Sequence, residues 1–324
     1  MDLTINNQLL RKSQSLIALF LLCLLISLLS DKFLSTANLW NVLRQISVNV
    51  CIAVGMTLVV LMAGIDLSVG AILAFSGAIC AGLIKYGFAI ESLDTYVGFT
   101  ALGGIIGAML VGLLLGLFNG WVITKFVVPP FVATLAMLTI ARGMTMLYTK
   151  GMPISNLGEG LEFVGSGWLL GIPVPVWISS VVVVVFVFIS KKTAFGRYIY
   201  AIGGNEKAAL LSGININRIK LAVYGLAGML AGIGGVLVTA RLNSAQPNAG
   251  MSYELDAIAA VVIGGTSLSG GVGSIAGTVI GATIIGVLNN GLVLLNVSPF
   301  WQQVVKGLVI LLAVIIDKMN RKEA

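Results

Sequence analysis

The 324-residue sequence contains no histidine, so it lacks the side chain that most often serves enzymes as a general base or a metal ligand. A Ser–His or Cys–His catalytic pair is therefore excluded. The nucleotide-binding pattern GxxxxGKS/T and the zinc-protease pattern HExxH are also absent. Asp66 and Asp256 lie in apolar surroundings that would suit an intramembrane protease, but neither has the glycine context expected of one. We predict that the chain is not an enzyme and needs no cofactor.

Charged residues are also scarce, at 10% of the chain, whereas 58% of the residues are hydrophobic and 40 are glycine. This composition is typical of a polytopic membrane protein and not of a soluble domain. The three cysteines, Cys23, Cys51 and Cys80, lie in apolar segments without CxxC spacing, so they indicate no redox or metal motif. The net charge of +7 first reports orientation in the membrane, and nucleic-acid binding is not expected.

Several apolar runs approach or reach the roughly 20 residues that a helix needs to cross a bilayer. We predict an all-α polytopic membrane protein that forms one domain over residues 1–324 and has about ten spans. The eighth predicted span is too short to cross unaided, and is either re-entrant or extended through the preceding YELD stretch. The predicted spans are residues 15–30, 46–63, 67–84, 97–119, 130–149, 172–190, 219–240, 255–265, 273–295 and 301–316.

Basic residues concentrate in residues 191–220, where they face a single acid, Glu206. The positive-inside rule places this segment in the cytoplasm, together with Arg11 and Lys12. An even number of spans then puts both termini in the cytoplasm and residues 151–171, with their acids, outside. The basic residues of the segment are Lys191, Lys192, Arg197, Lys207, Arg218 and Lys220.

The same segment carries the start and stop signals of a short helix, in YAIGGNEKAALLSGININRIK. Gly203 and Gly204 are expected to interrupt the chain, Asn205 to cap the helix, and Gly213 to end it. A helix of about two turns outside the bilayer either rests on lipid headgroups or docks on another protein. Its apolar face is too small for strong membrane binding, which favours docking.

Polar residues at membrane depth form a second group of candidates. An aspartate at bilayer depth costs several kcal/mol unless it is paired or faces water. Asp66, in AGIDLSVG, either caps the helix that starts near Leu67, with Ser68 assisting, or faces a water-lined pathway. Three asparagines in or near glycine-rich spans either line a polyol pathway or bond neighbouring helices. These are Asn119, Asn289 and Asn290.

One short sequence occurs twice. GIDLSVG at residues 64–70 shares four of seven positions with GTSLSGG at residues 265–271. Duplicated halves are common in transporters. Both loops are predicted on the same side of the membrane, however, which fits an inverted repeat badly.

Four stretches together resemble the ribose-type permease subunits of bacterial ABC transporters, within the branched-chain amino acid and monosaccharide permease family. They are AVGMTLVVLMAGIDLSVGAILA, FGRYIYAIGGNEKAALLSGININRIK, NSAQPNAG with YELDAIAAVVIGGTSLSGGVGS, and NNGLVLL, and the resemblance runs from about residue 14 to 318. It implies a fold similar to the vitamin B12 importer class, in a homodimer in the bacterial inner membrane. The implied partners are an ABC ATPase subunit, which binds ATP, and a periplasmic sugar-binding protein.

The resemblance also implies roles for individual residues. Asp66 and Ser68 would lie beside the central pathway, as a gate or only as a cap. Residues 191–220 would contain the coupling helix that seats in a cleft of the ATPase subunit. The coupling residues would be Gly203, Gly204, Asn205, Glu206, Lys207 and Ala208.

The function expected is therefore that of the permease subunit of a binding-protein-dependent importer of ribose or a related monosaccharide. Three alternatives stay open at this point. An ion-coupled secondary sugar carrier would use Asp66 as its proton or sodium site. A permease of the same family would carry another pentose or a galactoside, and a membrane scaffold would recruit a soluble protein without any flux.

Overall fold

The computed structural model describes the backbone of residues 2–90 and 95–322 and the side chains of residues 14–88 and 97–315. Arg11 and Lys12, on which the predicted orientation partly rests, have side chains outside these described residues. The described backbone forms thirteen helices: α1 (Asp2–Leu29), α2 (Thr36–Leu61), α3 (Val69–Tyr86), α4 (Ala101–Lys125), α5 (Pro130–Thr149), α6 (Glu159–Ser166), α7 (Val174–Lys192), α8 (Ala194–Gly204), α9 (Glu206–Leu211), α10 (Ile216–Leu242), α11 (Tyr253–Ile263), α12 (Ile275–Leu294) and α13 (Pro299–Lys322).

The described strands are two or three residues long and form three antiparallel pairs. Two pairs are local hairpins, and the third joins residues that lie far apart in the chain. The pairs are β1 (Phe88–Ile90) with β2 (Thr95–Val97), β4 (Trp168–Leu169) with β5 (Ile172–Pro173), and β3 (Ile154–Ser155) with β6 (Ser244–Ala245). The predicted all-α class is thus confirmed for the described part of the chain.

Seven helices of the described chain are long and apolar enough to cross a membrane: α2, α3, α4, α5, α7, α10 and α12. The apolar parts of α1 and α13, Gln14–Leu29 and Pro299–Ile315, are shorter. Helix α11 begins at Tyr253, so it includes the YELD stretch, but its 11 residues extend only about 16 Å, roughly half the hydrocarbon thickness. The polytopic membrane fold is confirmed, whereas length and composition support seven of the ten predicted spans.

Helix α2 begins at Thr36, ten residues before the predicted span that started at residue 46. The reason is local, because the Ser35 side chain accepts a hydrogen bond from the Asn38 amide and caps the helix there. The intervening residues include Asn38, Asn41 and Arg44, which a hydropathy pattern scores against a span. The helix therefore extends beyond its apolar part.

The chain divides into two compact units. The first unit comprises Met1–Ala63, Val182–Ile214 and Leu255–Ala324, and contains α1, α2, α8, α9, α12 and α13. The second unit comprises Gly64–Val181 and Asn215–Glu254, and contains α3 to α6 and α10. Helix α7 passes from the second unit to the first at Val182.

Close helix packing builds the second unit. Helix α10 packs along α4 and α3, and a side chain at Gly112 or Gly116 of α4 would overlap backbone atoms of Gly228 or Tyr224 on α10. Glycines on one helix face allow this backbone approach. The arrangement holds α3, α4 and α10 together. Asn119 lies on α4, and Asp66 and Ser68 lie just before α3.

The first unit is built around the packing of α2 on α12, with α1 also against α12 and α8 against α2. The Thr57 and Thr278 hydroxyls lie 2.7 Å apart and join α2 to α12 inside the unit. Asn38 and Asn290 exchange two side-chain hydrogen bonds, of 3.1 and 2.9 Å, between the same two helices. Polar side chains thus bond to one another within an apolar bundle.

Candidate functional site

The short helix predicted in the polar segment is α9, and its first turn is capped as expected. Asn205 has an extended backbone, and its Oδ1 accepts a hydrogen bond of 3.0 Å from the Ala208 amide. Gly203 and Gly204 do not break the helix, contrary to the prediction, since they are the last two residues of α8. The break between α8 and α9 is the single residue Asn205.

The end of α9 also forms as predicted. Gly213 has a φ of 84°, a left-handed conformation that glycine adopts without steric cost. Its amide donates to Leu210 O at 3.0 Å, and the Ile214 amide donates to Ala209 O at 3.2 Å. This pair of bonds is a Schellman motif, which satisfies carbonyl groups that the last turn of a helix would leave unpaired. The helix is therefore fixed at both ends by its own sequence.

Most of α9 is exposed, including Glu206, Lys207 and Ala208. Leu210 is 61% exposed and Leu211 is 89% exposed, whereas Ala209 is buried. A two-turn helix has little stability of its own, so a capped helix that presents leucines and charges together is suited to docking on a partner.

Asp66 lies in the turn between α2 and α3 and is fully buried. Its Oδ1 accepts two hydrogen bonds from Ser68, one from the amide at 2.8 Å and one from the hydroxyl at 2.6 Å. Of the two alternatives for Asp66, the cap of a helix starting near Leu67 is wrong, because α3 starts at Val69 and Ser68 occupies the cap position. Asp66 instead forms an Asx turn that fixes the residue before the helix.

Asn119 of α4 completes this cluster. Its Nδ2 donates to Ser68 Oγ at 2.9 Å, so three of the predicted pathway candidates are bonded in a row inside the second unit. Tyr224 of α10 is a further buried polar residue, and it was not predicted from the sequence. A side chain at Gly116 of α4, one turn before Asn119, would overlap the Tyr224 backbone. Nothing in its apolar surroundings, LAVYGLAG, marks it as functional.

The two oxygens of Asp66 have different surroundings. Oδ1 has both Ser68 donors, whereas Oδ2 has no hydrogen-bond partner among the described residues, and neither has the Tyr224 hydroxyl. No lysine or arginine of the described residues forms a salt bridge with Asp66. A buried carboxylate in neutral surroundings is costly, so this site favours a group without net charge at Asp66.

Asn289 and Asn290 of α12 lie in the first unit, where they make different bonds. Asn290 is paired with Asn38 of α2, as described above. Asn289 Nδ2 donates to Asp256 Oδ2 at 3.3 Å, and Lys306 Nζ lies 2.9 Å from the same oxygen. The predicted pathway candidates therefore belong to separate polar clusters and not to one continuous row. The Asp256–Lys306 ion pair had no sequence signal beyond the two charges.

The chain is similar to membrane permeases over nearly its whole length. Residues 38–314 match the family described as the permease component of the branched-chain amino acid transport system. The ribose import permease protein of Haemophilus influenzae is 50% identical over 310 residues, which cover 94% of this chain and 93% of that protein. The ribose import permease protein of Bacillus subtilis is 52% identical, with 93% and 91% covered.

A more distant relative is named for another pentose, xylose. The xylose transport system permease protein of Haemophilus influenzae is 36% identical, with 95% of this chain and 96% of that protein covered. No solved structure matches the chain. The matched region includes the three polar clusters described above and the segment around α9.

Proposed function

The chain belongs to the permease components of the branched-chain amino acid transport family, and we propose that it is the membrane-spanning subunit of an ATP-driven importer of ribose. The observation that carries this proposal is the identity of 50% and 52% to two ribose permeases over more than nine-tenths of each chain. Identity to a xylose permease is lower, at 36%. The protein is a multi-pass transport subunit of the inner membrane and not an enzyme.

A permease of this kind works with an ATPase subunit and a substrate-binding protein. We place the ATPase contact on the coupling segment, residues 191–220, with Gly203, Gly204, Asn205, Glu206, Lys207 and Ala208 at its centre. The exposure of α9, its two defined ends and the basic residues around it support this placement. ATP-driven closure of the motor would then move α9 and shift the permease between its two access states.

The membrane arrangement we propose has ten helices in a fold similar to the vitamin B12 importer class. Helices α1 and α13, with their apolar stretches, and the short α11 would join the seven longer helices. The chain would form one domain and would assemble as a homodimer. We also propose a cytoplasmic location for residues 191–220 and for both termini, which the distribution of basic residues supports.

For the sugar pathway we propose the polar candidates of both units: Asp66, Ser68, Asn119, Asn289 and Asn290. Amide, hydroxyl and carboxyl groups can exchange hydrogen bonds with the hydroxyls of a sugar. Most of these groups are bonded to one another in this structure, but Asn289 Oδ1 has no partner among the described residues. Their contact with sugar would belong to another state of the transport cycle. Weak binding there would allow release.

The proposal is tested by sugar uptake into liposomes that contain the permease, its ATPase subunit and the sugar-binding protein. We expect ribose uptake that requires ATP, with xylose taken up at least about tenfold more slowly, as a binding difference of about 1.4 kcal/mol would give. Faster uptake of xylose would assign the chain to another pentose. Uptake driven by an ion gradient without ATP would indicate the secondary carrier.

A further inference from the structure

The end of α8 meets two other parts of the first unit through backbone atoms alone. A side chain at Gly203 would overlap the Leu61 carbonyl oxygen at the end of α2 and the amide nitrogen of Gly271. The Gly271 amide itself donates to Leu61 O at 2.9 Å. This bond satisfies a carbonyl at the end of α2 that has no partner within its helix. Three chain segments therefore touch at one point with no side chain between them.

Gly271 belongs to the loop of residues 264–274, here called the glycine loop, which leads into α12. The loop is fixed by its own hydrogen bonds, from the Ser267 amide to Val272 O at 2.8 Å and from the Ser269 amide to Ser267 Oγ at 3.1 Å. These internal bonds restrain the loop, so a displacement at Gly271 acts on its bonded neighbours as well.

A second contact ties α8 to the glycine loop one turn earlier. The Tyr200 hydroxyl donates a hydrogen bond of 3.0 Å to Gly273 O. Burial raises the pKa of Tyr200 above its ordinary value, so the hydroxyl keeps its proton at neutral pH. Tyr200 and Gly203 lie on the same side of α8, since residues three apart are neighbours on a helix. The helix end is thus held at two points.

We propose that Tyr200, Gly203 and Gly271 are positioning residues that transmit the displacement of α9 to the end of α2 and to the glycine loop before α12. Only Asn205 separates α8 from α9, so a force on α9 acts directly on the end of α8. Coupling through packed structure needs contiguous contacts, and the backbone contacts at Gly203 provide them. The inference rests on the proposed function, because it takes α9 as the point where the motor acts.

Two helical glycines provide a matched pair of variants. Gly203→Ala places a methyl group against Leu61 and Gly271, whereas the same group at Gly143 of α5, outside the coupling segment, meets nothing within 4 Å. We expect Gly203→Ala to lower ribose uptake per ATP hydrolysed by at least about tenfold, as the cost of forcing a methyl group into a packed site implies. Uptake and hydrolysis are compared at equal amounts of bound ATPase subunit, because Gly203 also lies at the centre of the coupling segment. Gly143→Ala is expected to match the wild type.

Tyr200→Phe tests the same idea without steric strain, since it removes only the hydroxyl. We expect uptake per ATP to fall about fivefold, the effect of losing about 1 kcal/mol from one state. Tyr86→Phe is the control and is expected to match the wild type, because Tyr86 is an exposed tyrosine outside the coupling segment. Both variants are again compared at equal amounts of bound ATPase subunit.

Uptake per ATP equal to the wild type in both Gly203→Ala and Tyr200→Phe would overturn the inference and leave the proposed function intact. A loss of similar size in Gly143→Ala or Tyr86→Phe would also overturn it, because the effect would not depend on the contacts described. Wild-type protein that shows no ATP-dependent ribose uptake would instead contradict the proposed function.

Discussion

At the scale of single residues, the Asp66 carboxyl group shows how a buried polar group is arranged in this protein. One oxygen holds the turn before α3 through Ser68, while the other has no hydrogen-bond partner among the described residues. An asparagine can keep both Ser68 bonds through its Oδ1, and its uncharged Nδ2 takes the place of the oxygen that has no partner. The amide therefore fits the site without the cost of a buried charge.

We predict that Asp66→Asn keeps the thermal stability of the purified protein and most of its ribose uptake. Asp66→Ala is expected to lower the free energy of unfolding by about 1–3 kcal/mol, because it leaves two buried Ser68 donors without an acceptor. Thermal unfolding in detergent compares the variants. An asparagine variant as unstable as the alanine variant would contradict this account, and one that is stable but transports nothing would favour an ion site at Asp66.

For the Asp256–Lys306 pair we predict the opposite effect. Removing one charge is expected to destabilise the protein, because the two charges compensate each other. Asp256 is buried, and Lys306→Met would leave its carboxylate unpaired, at an expected cost of about 3 kcal/mol in the free energy of unfolding. The double variant Asp256→Asn with Lys306→Met removes both charges and is expected to recover most of that loss. Equal losses in the single and double variants would show that the ion pair does not determine the effect.

At the scale of elements, α9 is a helix whose two ends are fixed by hydrogen bonds to nearby residues and whose exposed surface is available to a partner. We predict that Leu211→Asp weakens binding of the ATPase subunit at least about tenfold, since an exposed leucine that becomes buried at an interface contributes about 1–3 kcal/mol. Leu170→Asp is the matched control, because Leu170 is 84% exposed in the turn between β4 and β5. The affinity for the ATPase subunit is measured in nanodiscs. If it is equal for both variants, α9 is not the docking helix.

Local signals allowed α9 to be predicted from the sequence, but not the helix before it. The caps at Asn205 and Gly213 use hydrogen bonds between residues three to five positions apart, so their signals are visible in the sequence. The glycine pair remains helical because Gly203 packs against Leu61 and Gly271, which are distant in the chain. Tyr224 and Lys306 were missed for the same reason, since Tyr224 packs against Gly116 and Lys306 pairs with Asp256, which are distant in the chain.

The two similar sequences, GIDLSVG at residues 64–70 and GTSLSGG at residues 265–271, form the same local turn. In GIDLSVG the third residue, Asp66, accepts a hydrogen bond from the amide of the fifth, Ser68. In GTSLSGG the third residue, Ser267, accepts one from the amide of the fifth, Ser269. The two turns thus share a bond as well as a sequence. Duplication of larger parts of the chain stays a prediction.

At the scale of the whole molecule, hydropathy was sufficient to predict the membrane class, because a bilayer imposes helices of defined length and composition. The division into two units was not predictable, since each unit combines segments that are far apart in sequence. The same holds for the number of spans, because α1, α11 and α13 have apolar parts shorter than the seven longer helices.

Orientation is the property of the whole chain that charge alone predicts. We expect Lys207→Cys, in a variant with Cys23, Cys51 and Cys80 replaced by alanine, to react with a membrane-impermeant thiol reagent only from the cytoplasmic side. Met152→Cys, at a residue that is 69% exposed, is expected to react only from outside. The reverse pattern in intact cells and inverted vesicles would overturn the proposed orientation and the docking of a cytoplasmic motor on α9.

The most direct test of the central claim is ribose-stimulated ATP hydrolysis by the full assembly in liposomes, measured together with ribose uptake. The comparison is between the wild type and Glu206→Arg with Leu211→Asp, which changes only exposed side chains of α9. We predict that the wild type couples both activities and that the variant loses both while it remains folded in the membrane. Ribose uptake that continues in the variant, or that needs only an ion gradient, would contradict the claim that α9 couples this permease to an ATPase.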